Sequence, residues 1–163
     1  MPEASARRRA SPDGLGARRR EARERALSLL YEAEAKDCEP GAVLQSLPVP
    51  PDAFAADVVA GVAEHRAELD ALITGHARGW TIERMPVVDR TLLRMALYEL
   101  SHRPDVPTGV VISEAVELAT RYSTDDSGRF VNGMLGKIAP ELRPAPGHEP
   151  GDAAEPAGEP AGC

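Results

Sequence analysis

Asp105 to Pro140 reads DVPTGVVISEAVELATRYSTDDSGRFVNGMLGKIAP, and this stretch decides the fold. Val111, Ala115, Leu118 and Tyr122 recur every three or four residues, which predicts a helix over 107–122 with Pro107 in its first turn. Phe130, Val131, Met134, Leu135 and Ile138 repeat the pattern and predict a second helix over about 126–139, stopped at Pro140. Between them, Ser123-Thr124-Asp125 supplies capping side chains, and the acids that follow complement the helix dipole. The same first turn carries Arg129 and Phe130, where backbone N–H groups are also able to meet a phosphate.

Working outward, every apolar pattern is helical and none alternates with period two. Val88, Leu92, Met95, Ala96 and Leu100 predict a helix over about 86–102, broken by Arg103-Pro104-Asp105. Asp52 is the expected N-cap of one long segment through Phe54, Val58, Val62, Leu69, Leu72, Ile73 and His76. A short helix over 41–47 precedes Pro48-Val49-Pro50-Pro51, and Ala22, Ala26, Leu29, Leu30 and Ala33 form the stripe of a first helix over about 17–36. The expected fold is all-α, two fused antiparallel bundles over 17–80 and 81–143. Residues 1–16 are expected to be a disordered basic arm, and Pro144–Cys163, with five prolines, four glycines and four acids, a disordered tail.

Composition narrows the chemistry. The 163 residues suffice for a core, and Cys38 and Cys163 alone exclude a disulfide scaffold, a cysteine zinc site and a CxxC motif. No run of 18 apolar residues is present, so no membrane is expected and the default location is cytoplasmic. His65, His76, His102 and His148 lack zinc-enzyme spacing, no GxxxxGK[ST] loop occurs, and the acids do not pair obviously, so no enzyme activity, metal or cofactor is expected. His76 reads as a core or boundary histidine and Cys38 as an ordinary loop thiol.

Charge is uneven. Residues 1–25 hold eight arginines against four acids, a net of +4, which leaves −11 for the rest of a chain whose net charge is −7. In Arg18-Arg19-Arg20-Glu21-Ala22-Arg23-Glu24-Arg25, helical geometry puts Arg19, Arg20 and Arg23 within a sector of roughly 100°. Tyr31 follows on nearly the side of Arg20, about 16 Å further along. Guanidinium forks for phosphates with an aromatic plane for an unstacked base suit single-stranded RNA. The plain alternative is a solvated helix end, with Glu21 and Glu24 pairing locally with Arg25 and Arg20. Arginines at a helix N-terminus oppose the dipole, a violation more expected where an anion binds.

Three blocks, RRREARERALSLLY (18–31), VVDRTLLRMALYEL (87–100) and the 105–140 stretch quoted above, resemble the bacterial transcription antitermination factor family NusB. The resemblance covers 17–143 and implies an all-α fold of two helical subdomains without catalysis. It implies binding of the boxA element of nascent ribosomal RNA, as single-stranded RNA, together with a NusE-type small-subunit ribosomal protein in the RNA polymerase antitermination complex. It places the arginine-rich motif on Arg18, Arg19, Arg20 and Arg23, its tyrosine on Tyr31, the RNA-facing start of the last helix on Asp126, Ser127, Arg129 and Phe130, and the ribosomal-protein contact on Asp89. A first-turn helix acid is the alternative role for Asp89. Arg94 and Glu99 read as intramolecular pairs. Two other functions fit the class: an RNA-delivery module of ribosomal RNA cytosine methyltransferases, against which stands the lack of a cofactor domain after residue 143, and a mainly homodimeric helical regulator.

Overall fold

The computed structural model describes residues 12–146, and among these every regular element is helical. In chain order they are α1 (Pro12–Ala35), α2 (Pro40–Ser46), α3 (Ala53–Glu64), α4 (Arg66–His76), a 3₁₀ turn (Ile82–Arg84), α5 (Val87–His102), α6 (Thr108–Tyr122) and α7 (Ser127–Leu142). The expected all-α class holds. Expectations for 1–11 and 147–163, including Arg7, Arg8, Arg9, His148 and Cys163, lie outside the described residues.

Two boundaries differ from the sequence reading. Residues 12–16 belong to α1 rather than to an arm, because Pro12 has the backbone angle and the missing N–H that a first turn accepts. α7 runs through Pro140 to Leu142, since a proline two residues from the helix end removes a single backbone bond. α1 ends on Asp37 at φ 51°, with Cys38 N–H donating to the Ala33 carbonyl (2.9 Å) and Asp37 N–H to that of Glu34 (3.1 Å). This is a Schellman ending with aspartate in the left-handed position usually held by glycine.

Asp52 caps α3 as expected, its carboxylate accepting from Phe54 N–H at 2.8 Å. The single long segment, however, is two helices. His65, at φ −101° and ψ 16°, breaks it. The cause is tertiary. α3 presses so closely on α5 that a Cβ on Gly61 would lie 2.1 Å from the Tyr98 ring. The turn at His65 then lets α4 lay Leu69 and Ile73 against α5 and α7, whereas α3 packs on α1, α2 and α5. Gly61→Ala is therefore expected to destabilise by about 1–3 kcal/mol through overpacking. That outweighs the roughly 1 kcal/mol that alanine gains in helix propensity. A thermal melt checks it, and an unchanged melting temperature would mean that Tyr98 moves aside freely.

α5 is the central helix. Thr91 through Leu100 are all buried, so it meets neighbours all round rather than along one stripe. Three of its buried polar side chains are matched internally, whereas the Ser101 hydroxyl is buried without a partner. Thr91 Oγ1 donates to the Val87 carbonyl (2.7 Å), Arg94 binds Asp70 of α4 (2.6 and 3.2 Å), and Glu99 binds Arg23 of α1 (2.8 Å). Arg94 and Glu99 are thus intramolecular partners, as read from sequence. Arg143, just past α7, donates to the carbonyls of Glu99, Leu100, Arg103 and Val106 and so satisfies the C-terminal end of α5. One continuous apolar cluster runs from Ala22 to Ala139 and includes the whole predicted stripe of α1.

Candidate RNA interface

The first turns of α1 lie beside the α5–α6 connection and the outer face of α6, and acids there receive its arginines. Arg19 bonds Asp105 (2.9 Å), and its guanidinium lies 5.0 Å from the centre of the Phe54 ring. Arg20 forks onto Glu114 (3.0 and 3.2 Å), with Glu117 at 3.9 Å; the Glu114 bond holds the Arg20 guanidinium above its ordinary pKa. Glu24 pairs with Arg121 of α6. The local pairs expected of Glu21 with Arg25 and Glu24 with Arg20 are not formed; Arg20 and Glu24 take partners on α6 instead. Arg18 and Arg25 are exposed and make no ion pair among the described residues.

Arg23 differs from its neighbours. It is 4% exposed, with Nε donating to both oxygens of Glu99 (2.8 and 3.3 Å) and its guanidinium 5.1 Å from the Phe54 ring. It therefore does not present its charge to a ligand alongside Arg19 and Arg20, as the helical projection led one to expect. Burial pushes the Glu99 carboxyl above its usual range, and Arg23 pulls it down. Asp105 is the opposite case: Arg103, then Arg19, hold its carboxyl well below the carboxylate range.

Tyr31 is 49% exposed and faces a hollow of about 650 Å³ lined also by Arg25, Leu27, Val88 and Tyr122, with the carboxylates of Glu21 and Glu24 at its edge. Tyr122, expected in the core from its spacing after Leu118, is 48% exposed because α6 ends there with nothing above it. A neighbouring hollow of about 470 Å³ lies between Trp80, Arg84 and the start of α7, with Asp89 and Ser127 in its wall. Phe130 is half-buried, its ring 6.3 Å from that of Trp80, while Asp126 and Arg129 are exposed. Val88 lines one hollow and Asp89 the next, so the two flank the first turn of α5.

Ser127 and Asp89 are buried, at 1% and 3% exposure. The Asp89 carboxylate accepts from Ser123 Oγ (2.5 Å) and Ser127 Oγ (2.9 Å), and Thr124 N–H donates to Ser127 Oγ (3.1 Å). These bonds join the N-terminus of α5 to the turn between α6 and α7. Ser127, expected as an outward contact, turns inward. Asp89, read either as a partner contact or as a first-turn helix acid, does lie in the first turn of α5 and supplies the acceptor that the turn's hydroxyls need. Sequence reasoning missed Tyr122, Trp80 and Arg84 as site residues. Tyr122 carried a misleading core spacing, and Trp80 lay in a loop with no periodicity to interpret.

Fold and site together define a class: all-helical proteins that present an arginine-lined first helix beside aromatic hollows. The NusB family model matches residues 20–140, and the chain belongs to the NusB family. It is 49% identical over 128 residues to transcription antitermination protein NusB of Salinispora arenicola (strain CNS-205), covering 74% of this chain and 94% of that protein. Among solved structures, NusB of T. maritima matches with 36% identity and a TM-score of 0.69, over 76% of this chain and 91% of that one. A crystal structure of antitermination factors NusB and NusE in complex with dsRNA matches with 27% identity and a TM-score of 0.66, covering 77% and 98%. The solution structure of NusB from Aquifex aeolicus gives 26%, 0.63, and coverage of 82% and 96%.

Proposed function

We propose that this chain is a cytoplasmic, non-catalytic transcription antitermination factor that binds the boxA element of nascent ribosomal RNA as single-stranded RNA. It acts with a NusE-type ribosomal protein in the RNA polymerase antitermination complex. The relative solved with NusE and dsRNA supports RNA binding beside NusE, while the single-stranded form rests on the arginines and exposed aromatic rings described above. The observation that carries it is the arginine-rich start of α1, with Arg20 on nearly the same side as Tyr31, Arg25 in the wall of the Tyr31–Tyr122 hollow, and Arg18 and Arg19 lining a second hollow beside Phe54. The acids that hold Arg19 and Arg20 act as placeholders. Exposed ion pairs are worth about 0–1 kcal/mol, so a polyphosphate chain displaces them at little cost. Asp105 keeps Arg103 when Arg19 leaves. Tyr31, and Phe130 with Arg129, then offer planes and charge to splayed bases. Arg23, Ser127 and Asp89 act as positioning residues behind this surface. Residues 26–143 carry 18 acids against 11 bases, a field that steers a basic ribosomal protein to the body of the molecule and leaves α1 to the RNA.

Titration of labelled boxA-type and scrambled RNA, at several salt concentrations and with and without the ribosomal protein, tests the assignment. Three to five phosphate contacts give a log–log salt slope of roughly −2 to −3.5. Replacing Arg18, Arg19 and Arg20 together by alanine is expected to flatten that slope by about 2 and to weaken both RNAs alike. An unchanged slope would remove α1 from the interface.

A further inference from the structure

We propose that His65, Glu68 and His102 form a binding site for a divalent transition metal of the zinc, nickel and copper class. One ligating atom from each lies within 4.8 Å of the others. His65 Nδ1 and Glu68 Oε2 are 3.4 Å apart. Two ligands at zinc distances on a tetrahedral centre are separated by about the same amount, roughly 3.4 Å. The His102 ring stacks on that of His65, with centres 4.0 Å apart and planes 25° from parallel, so the exposed His102 ring must turn about its side-chain bonds to aim its lone pair at the shared ion.

Both imidazoles are backed by a fixed wall. The Tyr98 ring lies 5.1 Å from His102 and 6.1 Å from His65, is itself buried, and is held by its hydroxyl on Asp57 (3.1 Å). The break between α3 and α4 fixes His65, and Glu68 follows one turn later with a side chain 61% exposed and free to swing. His102 belongs to the last turn of α5, where the negative end of the helix dipole favours a cation. With Nδ1 of His65 on the metal, its Nε2–H faces the exposed Glu64 carboxylate, whose Oε2 at 4.0 Å is beyond hydrogen-bond distance. Two imidazoles and a carboxylate suit borderline cations and not magnesium or calcium. Three protein ligands leave a fourth position to water.

Such an ion clips the α3–α4 corner to the end of α5, one residue before Arg103. That guanidinium bonds Asp57 and Asp105 and lies 4.9 Å from the centre of the Phe54 ring. Asp105 in turn holds Arg19, so the ion braces the base of the arginine face.

Calorimetric titration of the full chain with Zn²⁺, against a competing chelator, tests the site. One zinc per chain is expected, with a melting temperature raised by a few degrees in excess metal. His102→Gln and Glu68→Gln should each weaken zinc at least tenfold and abolish the rise, while His76→Gln and Cys38→Ser leave both unchanged. Mg²⁺ should have no effect. Metal-free melts of the variants establish that they fold. Wild-type affinity in His102→Gln, or loss of binding in Cys38→Ser alone, would place the metal elsewhere and leave the three residues as a stacked ring cluster with an ion pair.

Discussion

Arg23→Ala should lower stability by about 3–5 kcal/mol, the usual consequence of stripping one partner from a buried ion pair. At roughly 2–4 °C per kcal/mol for a chain of this size, the melting temperature falls by about 6–20 °C. The loss arises at Glu99, which is 2% exposed and would then be ionised in an apolar setting without the Arg23 Nε–H shared by its two oxygens. Its pH dependence identifies the mechanism. Burial already raises the Glu99 carboxyl, and Arg23 is the main group opposing that rise. A carboxyl with a folded pKa above its unfolded value takes up a proton on folding. Its stabilising contribution is present at low pH and is lost as pH rises through the folded value. Removing Arg23 lifts the folded value further, so the variant's defect should be smaller near pH 5 than at pH 8. Melts across that range check this, and a defect independent of pH would assign the loss to packing against Phe54 instead.

Asp89→Ala should cost about 2–3 kcal/mol, because two serine hydroxyls lose a charged acceptor and the α6–α7 turn loses its tie to α5. The effect should extend to Asp126, Arg129 and Phe130, which follow that turn, so binding of boxA RNA weakens although Asp89 touches none of it. Asp89→Asn separates shape from charge. Its amide oxygen still accepts from one serine, so a positioning role predicts a smaller melting defect and a nearly normal association rate with the ribosomal protein. Stopped-flow association at two salt concentrations checks this. A slow, salt-insensitive on-rate in a well-folded Asn variant would make the carboxylate itself a contact.

The helices were legible because their cores repeat every three or four residues, and the Asp52 cap because its carboxylate acts two residues away. What could not be seen was tertiary in origin. Nothing near Glu64-His65-Arg66 breaks a helix; the break answers to Tyr98 meeting Gly61 across the α3–α5 interface. Arg23 shares a helical sector with Arg19 and Arg20, yet only the fold brings Glu99, 76 residues later, over it. Tyr122 continued an apolar spacing into a turn where no helix covers it. The identity of the arginine row and of Tyr31 was readable from residue types alone, whereas the inward turn of Asp89 and Ser127 depended on hydroxyls meeting at a junction of three helices.

The ion pairs that α1 makes with α5, α6 and their connection all point forward along the chain: Glu34 reaches Arg90, 56 residues on, and the arginine-rich half reaches further, Arg23 to Glu99, Arg19 to Asp105, Arg20 to Glu114 and Glu24 to Arg121, spans of 76 to 97 residues. A ribosome adding about 5–20 residues per second takes roughly 4–20 s to supply those partners. During that interval the newborn arginine helix has only its own Glu21 and Glu24 as nearby counter-charge while it emerges beside ribosomal RNA. Contacts of such long reach also slow the final docking step. α1 meets α2 and α3 early, but its arginines find their acids only when α5 and α6 have followed.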